Sequence, residues 1–541
     1  MEMRRTAGRV GVELKSLQLA VRSGLLGPVA PHRLPGVVGP LRRYGMLGAL
    51  PGMGATKHPD RLAVIDERGT LTYGELDARS NALANAWRER GLRPRDGVAI
   101  LARNHRGFVE AYFAAAKCGA KVVLLNTDFS GPQLREVADR EGTDLLVYDD
   151  EYAEILAGVE PRYGRYRCWV DEPGADDADT IDALIAASPT TSPPAPGVEA
   201  KIVLLTSGTT GTPKGAPRPE PRSLAPIGGL LSRIPFKSRG ITVVPAPLFH
   251  TLGFGSTQLA FALGSTIVIR RRFDPALVVD DVARHRATGM VVVPVMLQRM
   301  VDLGPDAFSG KDLSALKIIM VAGSQLGADL AQRVTASFGP VIHNLYGSTE
   351  VAYATVAMPD DIAAEPGCVG RPVLGTIVKI LDENGAELPT GRTGRIFVGN
   401  SFQFEGYTGG GGKEMIDGLM STGDVGHFDI NGRLFVDGRD DDMIVSGGEN
   451  VFPGEVEELL VGHDAVREVA TMGAPDEKFG QRLRAFVVLH EGAELSADEV
   501  RDYVRDNLAR YKVPRDVVFL DELPRNPTGK VLKRKLAELG S

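Results

Sequence analysis

Thr206-Ser207-Gly208-Thr209-Thr210-Gly211-Thr212-Pro213-Lys214-Gly215 follows the apolar run Lys201-Ile202-Val203-Leu204-Leu205, which predicts a buried strand. Three glycines, four threonines, a serine and a lysine fall within ten positions. Glycine lets a backbone turn its N–H groups inward, hydroxyls add donors, and such a nest suits a polyphosphate. A solvated surface turn has a similar composition. The loop is not a Walker A motif, because Gly-x-x-x-x-Gly-Lys followed by Ser or Thr is absent.

Four more stretches follow in order. Asn344-Leu345-Tyr346-Gly347-Ser348-Thr349-Glu350 closes a predicted strand, the edge where open α/β sheets bind ligands. A carboxylate there neutralises part of a triphosphate by holding a cation, or simply starts a helix. Ser421-Thr422-Gly423-Asp424 precedes Arg439, and a carboxylate suits paired hydroxyl donors because it only accepts. Gly438-Arg439-Asp440-Asp441-Asp442-Met443-Ile444 leads into Ser446-Gly447-Gly448-Glu449-Asn450, where glycine lets backbone approach a ligand. Pro524-Arg525-Asn526-Pro527-Thr528-Gly529-Lys530 lies in a basic tail, where a lysine is ordinarily solvated.

Together the five stretches resemble the signature motifs of the adenylate-forming superfamily, in family order, from about residue 55 to 535. The resemblance implies ATP held by Thr206, Ser207, Gly208, Thr209, Thr210, Gly211, Lys214, Gly323, Ser324, Tyr346, Gly347, Asp424 and Arg439. Tyr346 would flank the adenine, Asp424 the ribose, Thr349 the phosphate, and Glu350 would hold Mg²⁺. Lys530 would serve adenylation, Asp441 would be a hinge, and Ser446, Gly447 and Gly448 would approach coenzyme A. His250 resembles a residue at the mouth of the acyl site, although a core or surface histidine reads equally well. Two departures bear on loop geometry: Gly418-Leu419-Met420 stands where many relatives have Gly-Trp, and Gly409 to Gly412 is an unusual run.

The implied activity is attack of a carboxylate on the α-phosphorus of ATP, then transfer of the acyl group to a thiol. Placement and positive charge supply such a rate. The expected acyl wall, His250 to Gly255, Val293 to Leu297, Ala322 to Gln325 and Tyr346-Gly347, offers no charged partner for an amino group. A medium- or long-chain fatty acid is therefore expected, with another apolar or aromatic acid as the alternative. The Ser446–Asn450 turn and the lack of a fused carrier domain favour free coenzyme A over a carrier-protein thiol. A catalytically dead sensor would be expected to lose Lys530 or Glu350, and both are present.

The 541 residues exceed one core, and the expected domains are 1–54, 55–440 and 441–541. The expected fold is α/β: a large N-terminal domain of parallel strand–helix lobes with a small β subdomain, and a small mobile α+β C-terminal domain. Alternating strands and helices from residue 60 carry that reading. Residues 171–200 read as an irregular connector. A net charge of −7 argues against a nucleic-acid partner. Cys118, Cys168 and Cys368 are far apart, which fits a reducing compartment such as the cytoplasm. The first fifty residues carry Arg4, Arg5, Arg9, Lys15, Arg22, Arg33, Arg42 and Arg43 against Glu2 and Glu13. Val10, Leu14, Leu17, Val21 and Leu25 recur at helical spacing. This helix either packs on the large domain or lies on an anionic membrane. An extended connector is expected after it, through Pro28, Pro31, Pro35, Gly36, Gly39 and Pro40. A homodimer stays open.

Overall fold

The computed structural model describes residues 2–171, 179–206, 214–218, 223–408, 410–440, 444–446, 449–451, 453–476, 480–508, 512–526 and 529–539. Mixed α/β architecture fills a large N-terminal domain and a smaller C-terminal one.

Two sheets organise the large domain. The first has nine strands in the order Arg371–Pro372, Thr355–Ala357, Ile342–Tyr346, Ile318–Val321, Gly289–Val292, Ile241–Val243, Thr266–Val268, Leu62–Asp66, Gly69–Thr72. Its inner pairs are parallel and its edges antiparallel. The second has six strands in the order Arg165–Trp169, Thr143–Asp149, Gly97–Leu101, Lys121–Leu124, Lys201–Thr206, Lys214–Arg218. All its pairs are parallel except the last. Ile318 to Val321, Gly289 to Val292 and Gly97 to Leu101 are buried throughout, as strands covered on both faces must be. Helices Tyr73–Glu89, Arg106–Lys117 and Thr251–Ala262 contribute to the largest core, where Trp87, Phe113, Phe261 and Tyr73 are buried.

A third sheet, built on Ile377–Leu381, Gly394–Gly399, Leu419–Phe428 and Leu434–Arg439, forms the expected small β unit. The C-terminal sheet joins Glu449–Val451, Ile444–Ser446, Gly480–Leu489 and Val466–Asp476, with Asp516–Phe519 parallel to Gly480–Leu489. Helices Pro453–Val461 and Ala497–Asn507 help close its core around Val456, Leu460, Val500 and Val504.

Two local expectations are corrected, and one helix was missed. Residues 28–40 are not an extended connector: helix Leu34–Lys57 begins there. Pro35 is tolerated in its first turn, where an N–H has no helical partner. Gly45, at φ 68°, bends the chain so that the first half returns along the second, and the Thr56 Oγ1 proton is shared between Gly36 O (2.9 Å) and Gly52 O (2.8 Å). The 171–200 connector contains helix Ile181–Ala187, capped by Thr180 Oγ1, which accepts from Ala183 N (3.1 Å). Its Ile181, Leu184 and Ile185 are buried on one face. Helix Thr251–Ala262 escaped notice because it is apolar nearly all round and shows no stripe, the mark of a buried helix. No helix among the described residues is long and apolar enough to cross a membrane.

Candidate active site

The inner strands of the nine-stranded sheet end at one edge, and the predicted motifs leave from it. Ile318–Val321 runs into Gly323 and Ser324, both exposed, and Ile342–Tyr346 runs into Gly347 to Glu350. Gly347 must be glycine: a Cβ there would lie 2.5 Å from Ala352 O and 2.7 Å from Tyr353 Cα. That close return brings Glu350 back beneath the strand end. Ser348 Oγ accepts from Glu350 N (3.2 Å) and fixes the turn.

Glu350 is buried, and Tyr407 Oη donates to its Oε1 at 2.7 Å. Burial pushes its carboxyl up, but the hydrogen bonds from Tyr407 and Ser348 and the charge of Lys413 outweigh it, leaving the pKa below the usual glutamate value. Lys214 Nζ lies over the Tyr407 ring, 5.4 Å from its centre. Thr408, the next residue, binds the start of strand Lys214–Arg218: its Oγ1 accepts from Gly215 N at 3.0 Å.

Asp424 and Arg439 stand opposite each other on antiparallel strands, with Arg439 Nη1 3.6 Å from Asp424 Oδ1. Opposite charges facing each other stabilise such a pair. Tyr346 Oη donates to Asp424 Oδ2 (2.6 Å) and lies 3.1 Å from Thr422 Oγ1. Burial raises the Asp424 carboxyl, against the pull of Tyr346, Arg439, Lys530 and Lys413.

Lys530 arrives from the far end of the chain. Its loop is a short hairpin in which Gly529 N donates to Asn526 O (2.8 Å), Lys530 N to Asn526 Oδ1 (2.9 Å), and Asn526 N to Lys530 O (2.9 Å). Arg525 braces it, with Nη1 on Gly529 O (2.7 Å) and Nη2 on Glu468 Oε2 (2.6 Å). Gly529 adopts φ 78°, and a Cβ on it would meet Val295 Cγ1 at 2.3 Å. The hairpin is thus seated against the large domain. The Lys530 residue keeps more than a third of its surface open, yet protein packed around its ammonium lowers its pKa. Arg439 pushes the same way, while Asp424 and Glu350 oppose.

His250 caps helix Thr251–Ala262, and its Nε2 is buried with no hydrogen-bond partner among the described residues. Burial, aided by the charge of Lys530, pushes the imidazole down to about 3, so it is neutral near pH 7.

The structure therefore brings together Lys214, Tyr346, Glu350, Asp424, Arg439 and Lys530. Thr349 lies on the same turn as Glu350 and Gly347. Thr206 ends its strand, while Ser207, Gly208, Thr209, Thr210 and Gly211 lie outside the described residues, as do Asp441, Gly447 and Gly448. Ser446 closes strand Ile444–Ser446 and pairs with Glu449. The sequence reading missed Tyr407 and Lys413. Tyr407 carried one available signal, an aromatic beside glycine just before Gly409 to Gly412; Lys413 carried none.

Lys214, Lys413, Arg439 and Lys530 stand around two carboxylates, so positive charge exceeds negative among these residues. That surplus suits a polyphosphate. Ionised Glu350 is an oxygen ligand of the kind Mg²⁺ takes, so the residues fit that ion. His105, Asp149 and Cys168 also lie close together, away from these motifs. Their atoms bond one another: His105 Nε2 and Cys168 Sγ approach Asp149 Oδ1 at 2.7 and 3.3 Å, and His105 Nδ1 accepts from Gly107 N (3.0 Å). All three cysteines are free and buried.

Comparison with known proteins shows the family. Residues 53–408 match the model of the AMP-binding enzymes, and residues 455–530 match that of the AMP-binding enzyme C-terminal domain. A feruloyl-CoA synthase of Amycolatopsis sp is 34% identical over 499 residues, 91% of this chain and 98% of the relative. The fatty acid–acyl-carrier-protein ligase ScoC of Streptomyces coeruleorubidus is 32% identical over 497 residues, 90% and 94% of the two chains. Among solved structures, the amide bond synthetase McbA of Marinactinospora thermotolerans superposes with a TM-score of 0.78 at 28% identity, covering 93% of this chain and all of that one. The chain belongs to the AMP-binding enzymes, the adenylate-forming superfamily.

Two outcomes test the site. Lys530→Ala should lower acyl-adenylate formation by roughly a hundredfold or more, the scale for losing one group that stabilises transition-state charge. Unchanged pyrophosphate release would contradict that role. Tyr407→Phe removes a donor that favours the Glu350 carboxylate, so its pKa must rise. A hydrogen bond to a charged group is worth about 1.5–3 kcal/mol, so the acid limb of the adenylation profile should move up by roughly one pH unit. A profile that stays in place would separate Glu350 from the reaction.

Proposed function

We propose that the protein activates an apolar carboxylic acid with ATP and passes the acyl group to coenzyme A, releasing AMP and pyrophosphate. The supporting observation is the meeting of Lys530, Glu350 and Asp424 beside a wall without charged side chains. Val293, Met296, Leu297 and Phe254 in that wall are buried and apolar.

In the first half-reaction a carboxylate oxygen bonds to the α-phosphorus and the bond to pyrophosphate breaks. Lys530 and Arg439 face the charge that builds on the phosphate, and Asp424 accepts from the ribose hydroxyls. Gly323, Ser324 and the Thr206–Gly215 loop line the nucleotide, with Thr349 on its phosphate. Glu350 would hold Mg²⁺, which supplies neutralisation of phosphate charge when bound. Neutral His250, with an unpartnered Nε2, is an available hydrogen-bonding group at the acyl end.

In the second half-reaction a thiolate attacks the acyl carbonyl and AMP leaves. Lys530 and a thiol need different surroundings, so the small domain is proposed to turn about Asp441, bringing Ser446, Gly447 and Gly448 to the pantetheine arm. A few residues suffice to take up such a turn.

A medium- or long-chain fatty acid is the first candidate. An aromatic acid is the second, favoured by the similarity to feruloyl-CoA synthase, and the similarity to ScoC favours a carrier thiol as alternative acceptor. Incubation with ATP, coenzyme A and a series of fatty acids beside ferulate separates them. The expected products are equal amounts of fatty acyl-CoA, AMP and pyrophosphate. Turnover of ferulate alone would replace the acid, and acyl adenylate with coenzyme A unused would replace the acceptor.

A further inference from the structure

We infer that the N-terminal helix Glu2–Ser23 docks on an anionic lipid surface through its outward face. The sequence left two readings for this helix, packing on the protein or lying on a membrane. The structure gives each reading a different face.

The inner face is made of small residues. Ser16, Ala20 and Ser23 are buried, and helix Ala225–Leu231 comes so close that a Cβ on Gly228 would lie 2.2 Å from Ser16 Oγ. Ser238 N donates to Ser23 O (2.7 Å) and Lys237 Nζ to Arg22 O (3.1 Å), which tie down the helix end. Leu19 and Leu25 pack against the main core.

The large apolar residues point the other way. Val10, Leu14, Leu17 and Val21 are 54%, 62%, 44% and 56% exposed. At 3.6 residues per turn they form one narrow row. Ordinary packing would have buried these residues rather than Ser16 and Ala20. The first half of the following helix repeats the arrangement: Gly36 faces Thr56 inside, while Leu34, Val38 and Leu41 are each more than a third exposed.

Charge selects the occupant. Between residues 9 and 43 there are six lysines and arginines, Arg9, Lys15, Arg22, Arg33, Arg42 and Arg43, and all are exposed. Lys15 and Arg22, seven residues apart, are exposed together about 120° round the helix from the apolar row. The one acid in this span, Glu13, is turned inward, its carboxylate accepting from Leu224 N at 3.3 Å. The whole protein is acidic at −7, so this basic surface is a local concentration. An exposed apolar row with Lys and Arg on the neighbouring exposed face matches the acyl boundary and headgroups of an anionic bilayer. The segment precedes residues 53–408, the part of the chain matched by the family model.

The test is co-sedimentation of the full chain with phosphatidylcholine vesicles, with and without phosphatidylglycerol. Binding is expected only with phosphatidylglycerol and should weaken as salt rises. Leu14→Ser with Leu17→Ser should cut binding by roughly tenfold or more. Lys15→Glu with Arg22→Glu should cost about fivefold or more for each charge removed. Both residue pairs are exposed, so thermal unfolding and acid-dependent pyrophosphate exchange should not change. The inference falls if the unaltered chain ignores phosphatidylglycerol vesicles or if the variants bind equally well. It also falls if light scattering shows a dimer that the leucine variant dissolves while vesicles bind neither form. None of these outcomes depends on which acid the enzyme activates.

Discussion

The proposed adenylation chemistry rests on one contact, the seating of the Lys530 hairpin against Val295. The lysine is 180 residues from Glu350 in sequence and lies in the C-terminal domain, after its last strand, Asp516–Phe519. It reaches the cleft only because Gly529 has no side chain to clash with Val295 and can adopt a positive φ. Arg525, bonded to both Gly529 O and Glu468, transmits the position of the C-terminal sheet to the hairpin. With the hairpin seated, the cationic group stands beside Asp424, Glu350 and Arg439, and each of these groups influences the titration of Lys530.

Two further arrangements make that contact useful. Glu350 and Asp424 each take a hydrogen bond from a tyrosine, Tyr407 and Tyr346, so both carboxylates are oriented before any ligand arrives. Lys214, Lys413, Arg439 and Lys530 then leave the cleft with a positive excess. Charge stabilisation of this kind is effective when it is fixed in advance, because no reorganisation is needed during reaction. The proposed acyl wall carries no charged side chain, and His250 beside Lys530 is neutral. Under the proposed function, the cationic side would take the polyphosphate and the uncharged side the apolar acid.

Much of this could be read from the chain. Strands such as Ile318–Val321 and Gly97–Leu101 are short apolar runs buried on both faces, and the C-terminal domain is α+β as expected. Glu350, Asp424, Arg439 and Lys530 were legible because each sits in a motif of fixed order. Tyr407 and Lys413 were not, since their importance comes from what they touch across sheets. Helix Leu34–Lys57 was hidden by its prolines and glycines, which local propensity assigns to connectors but tertiary packing holds in a bent helix. The orientation of helix Glu2–Ser23 was hidden too. Its apolar spacing revealed a helix, and only the small inner residues against Gly228 reveal which way it faces.

The most direct measurement is a crystal structure of the chain with a nonhydrolysable acyl-adenylate analogue. The account predicts the phosphate within hydrogen-bond reach of Lys530, the ribose hydroxyls on Asp424, and the acyl group between His250 and Val293. An analogue bound elsewhere, or bound here with Lys530 turned away from the phosphate, would contradict it.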